Sequence, residues 1–216
     1  MSERGIFITF EGGEGCGKST QVWLLAHRLE AAGLTVRSLR EPGGTAVGEA
    51  VRAVLLDPEH SGLDDTAEIL LYEAARAQLV AEVIEPALAA GEVVLCDRFY
   101  DSTTAYQGYA RGIPLEEVAA LNHAATGGLT PDVTVLLDLD PALGIKRATA
   151  EGADRLEAED LQFHTRVRLG FLAVAAEDPA RIRVVDGSGD ADRVAEFVRI
   201  ALADIPVLAD AFGATS

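Results

Sequence analysis

Residues 6–21, IFITFEGGEGCGKSTQ, join an apolar run to a glycine-rich turn that closes on Gly17, Lys18 and Ser19. The spacing from Gly12 to Gly17-Lys18-Ser19 fits G-x-x-x-x-G-K-[ST], a phosphate-binding loop. Glycines at 12, 13, 15 and 17 permit positive φ and close backbone approach, so that successive N–H groups turn inward toward phosphate oxygens. Lys18 brings a mobile positive charge for β- and γ-phosphates, and Ser19 a hydroxyl for a Mg²⁺ ion. Val22, Leu25, Ala26 and Leu29 share one helical face over 19–32, so the loop ends at a helix N-terminus, where the dipole favours anions. The alternative is a chance match in a chain with 21 glycines. Placement between an apolar strand and an amphipathic helix weighs against it. Lys18 is one of only two lysines, with Lys146 the other, so arginine carries nearly all remaining positive charge.

At 216 residues, 49% hydrophobic and 25% charged, the chain reads as one globular domain over 1–208 with a frayed tail at 209–216. Eighteen basic against 35 acidic side chains leave a net charge of −17, which disfavours nucleic acid polymers and anionic membranes as partners. An anionic substrate then needs a local cluster of arginines. Two cysteines, Cys16 and Cys96, make no disulfide framework and fit a reducing cytoplasm. Cys16 lies inside the loop, either as a thiol activated by the helix N-terminus or as a small residue filling a tight turn. The opening MSERGIFITF lacks the apolar core of a signal peptide, and no run reaches the roughly 18 apolar residues of a membrane span.

Along the chain, 35–39 reads as a second strand, and Arg40-Glu41-Pro42-Gly43-Gly44 punctuates it before a helix carrying Val47, Val51, Val54 and Leu55. Arg40 and Arg52 flank that turn. A long helical pattern over 64–91 is broken near Pro86. It puts Tyr72 and Arg76 on one face, a ring and a cation suited to a nucleobase, or equally a core ring beside a surface charge. The strand at 93–96 has no polar alternation, as expected of one buried on both faces of a parallel sheet. It ends in Asp97-Arg98: a carboxylate placed where phosphoryl-transfer proteins hold Mg²⁺, or an Asp paired with its own neighbour. Residues 101–108, DSTTAYQG, are dense in donors and acceptors and read as a recognition surface. Further strands at 133–137 and 182–185 alternate with helices over 114–125, from Pro141, over 157–177 and over 190–203. Five strands alternating with helices give an α/β fold with a parallel sheet covered on both faces. The stretch around Lys146, Arg147 and Arg155 is a short lid over about 146–157, or a solvated turn.

FEGGEGCGKST at 10–20, REPGGT at 40–45, LYEAAR at 71–76, DRFYDSTTAYQG at 97–108 and DRLE at 154–157 together resemble the bacterial thymidylate kinases, over almost the whole length. The resemblance implies a P-loop NTPase-type three-layer sandwich with strand order 2-3-1-4-5, transfer of the γ-phosphoryl of ATP to dTMP with Mg²⁺, and a homodimer. It implies that Gly12, Gly13, Glu14, Gly15, Cys16, Gly17, Lys18, Ser19 and Thr20 hold ATP, and that Ser19 and Asp97 serve the metal. Glu14 then reaches toward the acceptor, Arg98 bridges the donor and acceptor phosphates, and Arg52 adds an acceptor-phosphate contact. Tyr72 stacks on thymine, Arg76, Ser102 and Thr103 read its polar edge, Tyr106 rejects a ribose hydroxyl, and Gln107 belongs to the same surface. Some relatives carry a catalytic arginine inside the loop. Position 15 here is Gly, so that arginine is expected from the lid, as Arg155 or Arg147, although 148–154 contains no basic residue.

Overall fold

The computed structural model describes residues 4–148 and 154–213. Five parallel strands, β1 (Phe7–Glu11), β2 (Val36–Arg40), β3 (Val93–Asp97), β4 (Val133–Asp138) and β5 (Ile182–Asp186), form one sheet. Their order is β2-β3-β1-β4-β5. The central strands β1 and β3 are buried along their whole length, which is why they lack the regular polar alternation of a strand with one solvated face. Both edges carry arginines that pair outward, Arg37 with Glu92 at 3.0 Å and Arg183 with Asp204. Charged edges of this kind resist pairing with another chain.

One face of the sheet is covered by α1 (Lys18–Ala31) and α9 (Ala191–Ala201), whose Val22, Leu25, Leu29, Val194 and Val198 pack on Ile8, Phe10, Leu95 and Val135. The opposite face meets two clusters, one around Phe7, Leu79, Ile84 and Phe99 and one around Tyr106, Phe163, Val167 and Phe171. This is the expected three-layer sandwich. Each fully buried Leu or Phe contributes about 1.5–3 kcal/mol of transfer free energy to these layers.

Local signals set the element ends. Gly33 follows α1 with φ 87°, the left-handed stop expected there. Thr45 caps α2 (Ala46–Leu56) by accepting from the Gly48 N–H at 2.9 Å, and Asp64 caps α3 (Asp65–Leu79). The run over 64–91 breaks as a wide π-turn, Val80–Ile84, leading into α4 (Glu85–Ala89). Pro86 lacks an N–H and its ring crowds the carbonyl four residues back, so the helix widens just before it. The polar stretch after β3 is also helical: α5 (Tyr100–Thr103) runs into a π-turn over Thr104–Ala110, a feature frequent at functional sites. Then come α6 (Leu115–Thr126), α7 (Pro141–Ala148) and α8 (Leu161–Glu177). The last begins four residues later than its apolar spacing suggests, because Asp160 caps it at the Phe163 N–H. Residues 149–153 of the expected lid lie outside the described residues.

Ala209–Phe212 forms a short helix, α10, and Ala211 and Phe212 pack against the α1–α9 core. Residues 214–216 lie outside the described residues.

Candidate active site

The phosphate loop hangs between β1 and α1. Gly12, Gly15 and Gly17 take φ of 137°, 63° and 93°, values that L side chains rarely adopt. Gly13 differs: its φ is not positive, and a Cβ there meets no protein atom within 4 Å. Cys16 is 2% exposed and lies against Gly12, where a Cβ would come within 2.9 Å of its sulfur. Cys16 fills the turn, and Lys18 Nζ donates to its sulfur at 3.5 Å. Lys18 curls over the loop, its Nζ donating to the carbonyls of Gly12 at 3.1 Å and Gly13 at 2.8 Å.

Ser19, at the start of α1, donates its hydroxyl to the Asp97 carboxylate at the end of β3. Asp97 is therefore tied to the loop rather than to its neighbour Arg98. A hydroxyl and a carboxylate are hard oxygen donors of the kind Mg²⁺ takes, with phosphates and water filling its remaining positions. The described residues contain no cluster of three or more His, Cys, Asp or Glu able to hold a metal alone, and a nucleotide-borne Mg²⁺ does not require one.

Arg98 is the one described non-glycine residue with positive φ, at 72°. Such a backbone costs about 1–3 kcal/mol and persists only where surroundings enforce it. Its guanidinium donates to the Gly12 carbonyl at 3.0 Å, Ser102 Oγ at 3.2 Å, Glu14 Oε1 at 2.7 Å and the Tyr106 hydroxyl at 3.2 Å, and it lies 5.1 Å from the Tyr106 ring centre. The Tyr106 hydroxyl in turn donates to Glu14 Oε1 at 2.5 Å. Burial pushes the Glu14 carboxyl upward, but Arg98 and Lys18, the Tyr106 hydrogen bond and His164 outweigh it and lower its pKa to about 2. Glu14 is thus a fixed anion.

Deeper in, Arg76 is 1% exposed, held by Glu41 at 2.7 Å and Glu73 at 2.5 Å, and it donates to Thr103 Oγ1 at 2.9 Å. Burial opposes its charge, yet the two carboxylates raise its pKa. Burial likewise raises Glu41 to about 7, against the pull of Arg76. Arg76 is not the surface charge of its second reading: it is a buried, clamped cation in the cavity wall. The amide of Gln107 is committed to Glu68 Oε1 at 2.8 Å, and the hydroxyl of Ser102 to Glu11 Oε2 at 2.6 Å.

One cavity of about 450 Å³ gathers these groups. From the loop, Glu14, Gly15, Gly17, Lys18, Ser19 and Thr20 line it, but Gly12, Gly13 and Cys16 do not; Arg52, Tyr72, Arg76, Asp97, Arg98, Ser102, Thr103, Tyr106, Gln107 and Arg147 join them. Arg155 does not line the cavity in this structure. Its Nε donates to the Leu55 carbonyl at 2.7 Å and its Nη2 lies 2.5 Å from Glu68, so it staples the 154–157 turn to α2 and α3. Burial of Glu68 demanded a cation, and Arg155 supplies it together with Arg111. Arg147 faces the cavity from α7, near the loop, donating to the Ser188 carbonyl at 3.2 Å. The glycine at position 15 has a steric cause: a Cβ there would come within 2.1 Å of the Gly144 carbonyl oxygen, and one on Gly144 within 2.3 Å of the Glu14 oxygen.

Sequence reasoning left Glu11, Glu41, Glu68, Glu73 and Asn122 without roles. Glu11 and Glu41 sat in plain view, inside FEGG and REPGG. What could have flagged all five is polarity at positions that the apolar patterns bury.

A parallel sheet of this order, with a glycine loop feeding a helix and arginines converging beside it, defines a P-loop phosphotransferase. The family profile described as thymidylate kinase matches residues 10–198. A thymidylate kinase from Solidesulfovibrio magneticus is 56% identical over 201 residues, covering 89% of this chain and 96% of its own. One from Deinococcus radiodurans is 54% identical over 192 residues, covering 88% and 93%. Among solved structures, the thymidylate kinase of Ehrlichia chaffeensis superposes with a TM-score of 0.76 at 36% identity, covering 92% of this chain and 98% of its own. The chain belongs to the thymidylate kinase family.

Proposed function

We propose that this cavity transfers the γ-phosphoryl of ATP to dTMP, giving dTDP and ADP, the reaction that family membership assigns to the chain. A phosphate oxygen of dTMP attacks the γ-phosphorus, and the bond from that phosphorus to the β-bridging oxygen breaks. The attacking oxygen is already anionic, so no residue has to remove a proton. Alignment and charge neutralisation remain as the catalytic tasks.

The loop N–H groups and Lys18 hold the ATP phosphates, with Thr20 beside them. Arg98 holds the acceptor phosphate from one side and Arg52 from the other. Glu14, anionic and fixed by Arg98 and Tyr106, sets the arginine and the deoxyribose rather than acting as a base. Tyr106 crowds C2′, Tyr72 stacks on the base, and Arg76 with Thr103 reads its polar edge. Arg147 supplies the cation that the loop lacks at position 15. Ser19 and Asp97 would hold Mg²⁺, which when bound neutralises charge on the transferring phosphates.

The observation that carries this reading is the convergence of Arg98, Glu14 and Tyr106 within hydrogen-bonding reach of one another beside the phosphate loop. We also infer a homodimer, from the family resemblance and from the exposed Val47 and Val54 on α2, Leu70 on α3 and Leu115 on α6, helices that pack side by side. No helix of the described residues is long and apolar enough to cross a membrane. With both cysteines free and buried, we place the protein in the cytoplasm.

An ADP-release assay with ATP and Mg²⁺, offering dTMP, dUMP, dCMP, dGMP, dAMP and thymidine in parallel, tests the assignment. Strong turnover with dTMP, weaker with dUMP and none with thymidine is expected. Preference for a purine monophosphate, or turnover of thymidine, would overturn it.

A further inference from the structure

Glu11 ends β1, is fully buried, and does not line the cavity. Its Oε1 accepts from the N–H groups of Phe99 at 2.7 Å and Ser102 at 3.3 Å, and its Oε2 from the Ser102 hydroxyl at 2.6 Å. These groups open the helical stretch of α5, whose N-cap residue, Phe99, has no side-chain acceptor to offer. Helix starts leave N–H groups that need such an acceptor. Here it comes from another strand.

The residue just before this helix is Arg98. Its own N–H donates to the Phe10 carbonyl at 2.9 Å, so β1 holds the turn at two successive points, by backbone and by carboxyl group. Ser102 Oγ, which donates to Glu11, also accepts from Arg98 Nη1 at 3.2 Å. A continuous line of hydrogen bonds therefore runs from Glu11 through Ser102 and Arg98 to Glu14. A left-handed arginine backbone needs such enforcement.

We propose that Glu11 is a positioning residue for phosphoryl transfer: by gripping Phe99 and Ser102 it holds Arg98 in its left-handed turn and aims the guanidinium at the acceptor phosphate. Ser102 then belongs to this support and not to base recognition, because its hydroxyl is spent on Glu11 and Arg98. The inference rests on reading Arg98 as the acceptor-phosphate arginine.

The test measures kcat and the KM for dTMP and for ATP in Glu11→Gln, Glu11→Asp and Ser102→Ala, each with Arg98 present and in an Arg98→Ala background. Glu11→Asp, one methylene short of both N–H groups, should lose tenfold or more in kcat/KM for dTMP while the ATP KM stays within about twofold. Glu11→Gln keeps the reach and should lose less. With Arg98 already removed, Glu11→Asp should cost under about twofold more. An Asp variant as active as the parent, or a loss as large without Arg98 as with it, overturns the proposal. Should the Glu11 variants fail to fold by circular dichroism, Ser102→Ala carries the same comparison: a loss of threefold or more that vanishes without Arg98 supports the proposal, and an undiminished loss overturns it. Full dTMP turnover in Arg98→Ala alone would instead remove the acceptor reading beneath it.

Discussion

Two arginines that look interchangeable in DRLE and KRA separate once their partners are seen. Arg155 is stapled to Glu68 and the Leu55 carbonyl, whereas Arg147 faces the cavity. Arg155→Ala should therefore cost about 3 kcal/mol in urea unfolding, the scale of breaking a buried ion pair, with kcat within threefold. Arg147→Ala should leave stability nearly unchanged and, on the role proposed for it, lower kcat by roughly tenfold to a hundredfold, the scale of losing one transition-state charge contact. The reverse pattern would return the lid role to Arg155. Glu14 has its own signature. Its pKa in the folded protein is about 2, below the ordinary 4.5, so its stabilisation is fully present above the ordinary value and is lost as pH falls toward 2. The stability difference between the parent and Glu14→Gln should be flat from pH 5 to 8 and close only in acid. A difference that changes around pH 6 would contradict a permanently ionised Glu14. Such partnerships were not legible in the sequence, because Arg155 lies 87 positions from Glu68 and 100 from Leu55, and only the fold brings them together.

At the scale of elements, the apolar runs of β1 and β3 and the glycine spacing between β1 and α1 carried the strand–loop–helix unit in full. Helix ends were legible where a cap marked them, as at Asp64, and missed where one intervened unannounced, as at Asp160. The π-turn over Thr104–Ala110 has no signature in its polar residues, which read as a surface and form a buried helical wall. The loop's dependence on α7 was also hidden. A Cβ on Gly15 would meet the Gly144 carbonyl and one on Gly144 the Glu14 carbonyl, so neither position tolerates a side chain without displacement. Gly144→Ala should push α7 off the loop, raising the ATP KM tenfold or more and the dTMP KM far less, measured by steady-state kinetics. Equal rises in both would argue that α7 supports the whole cavity rather than its ATP end.

For the whole molecule, strand order came from family resemblance and not from composition, and the sheet matches it. The acidity has a physical consequence independent of fold. A net charge of −17 repels itself, and salt shortens that repulsion to a Debye length of about 10 Å at 0.1 M. Raising NaCl from about 20 to 200 mM should therefore lift the melting temperature by a few degrees. An unchanged or lower value would mean that the arginine pairs already balance the field. Glu41 adds a pH term of opposite sign to Glu14: with its folded pKa raised to about 7, stability is fullest below the ordinary 4.5 and falls as pH rises through 7. Everything proposed for the cavity converges on Arg98, the strained cation that joins loop, acceptor and Glu11. The most direct measurement is dTMP-dependent ADP release by Arg98→Ala beside the parent, with ATP affinity followed separately by calorimetry. A fall in kcat/KM for dTMP of a hundredfold or more, with ATP affinity retained, is the expected result; turnover within threefold of the parent would contradict the account.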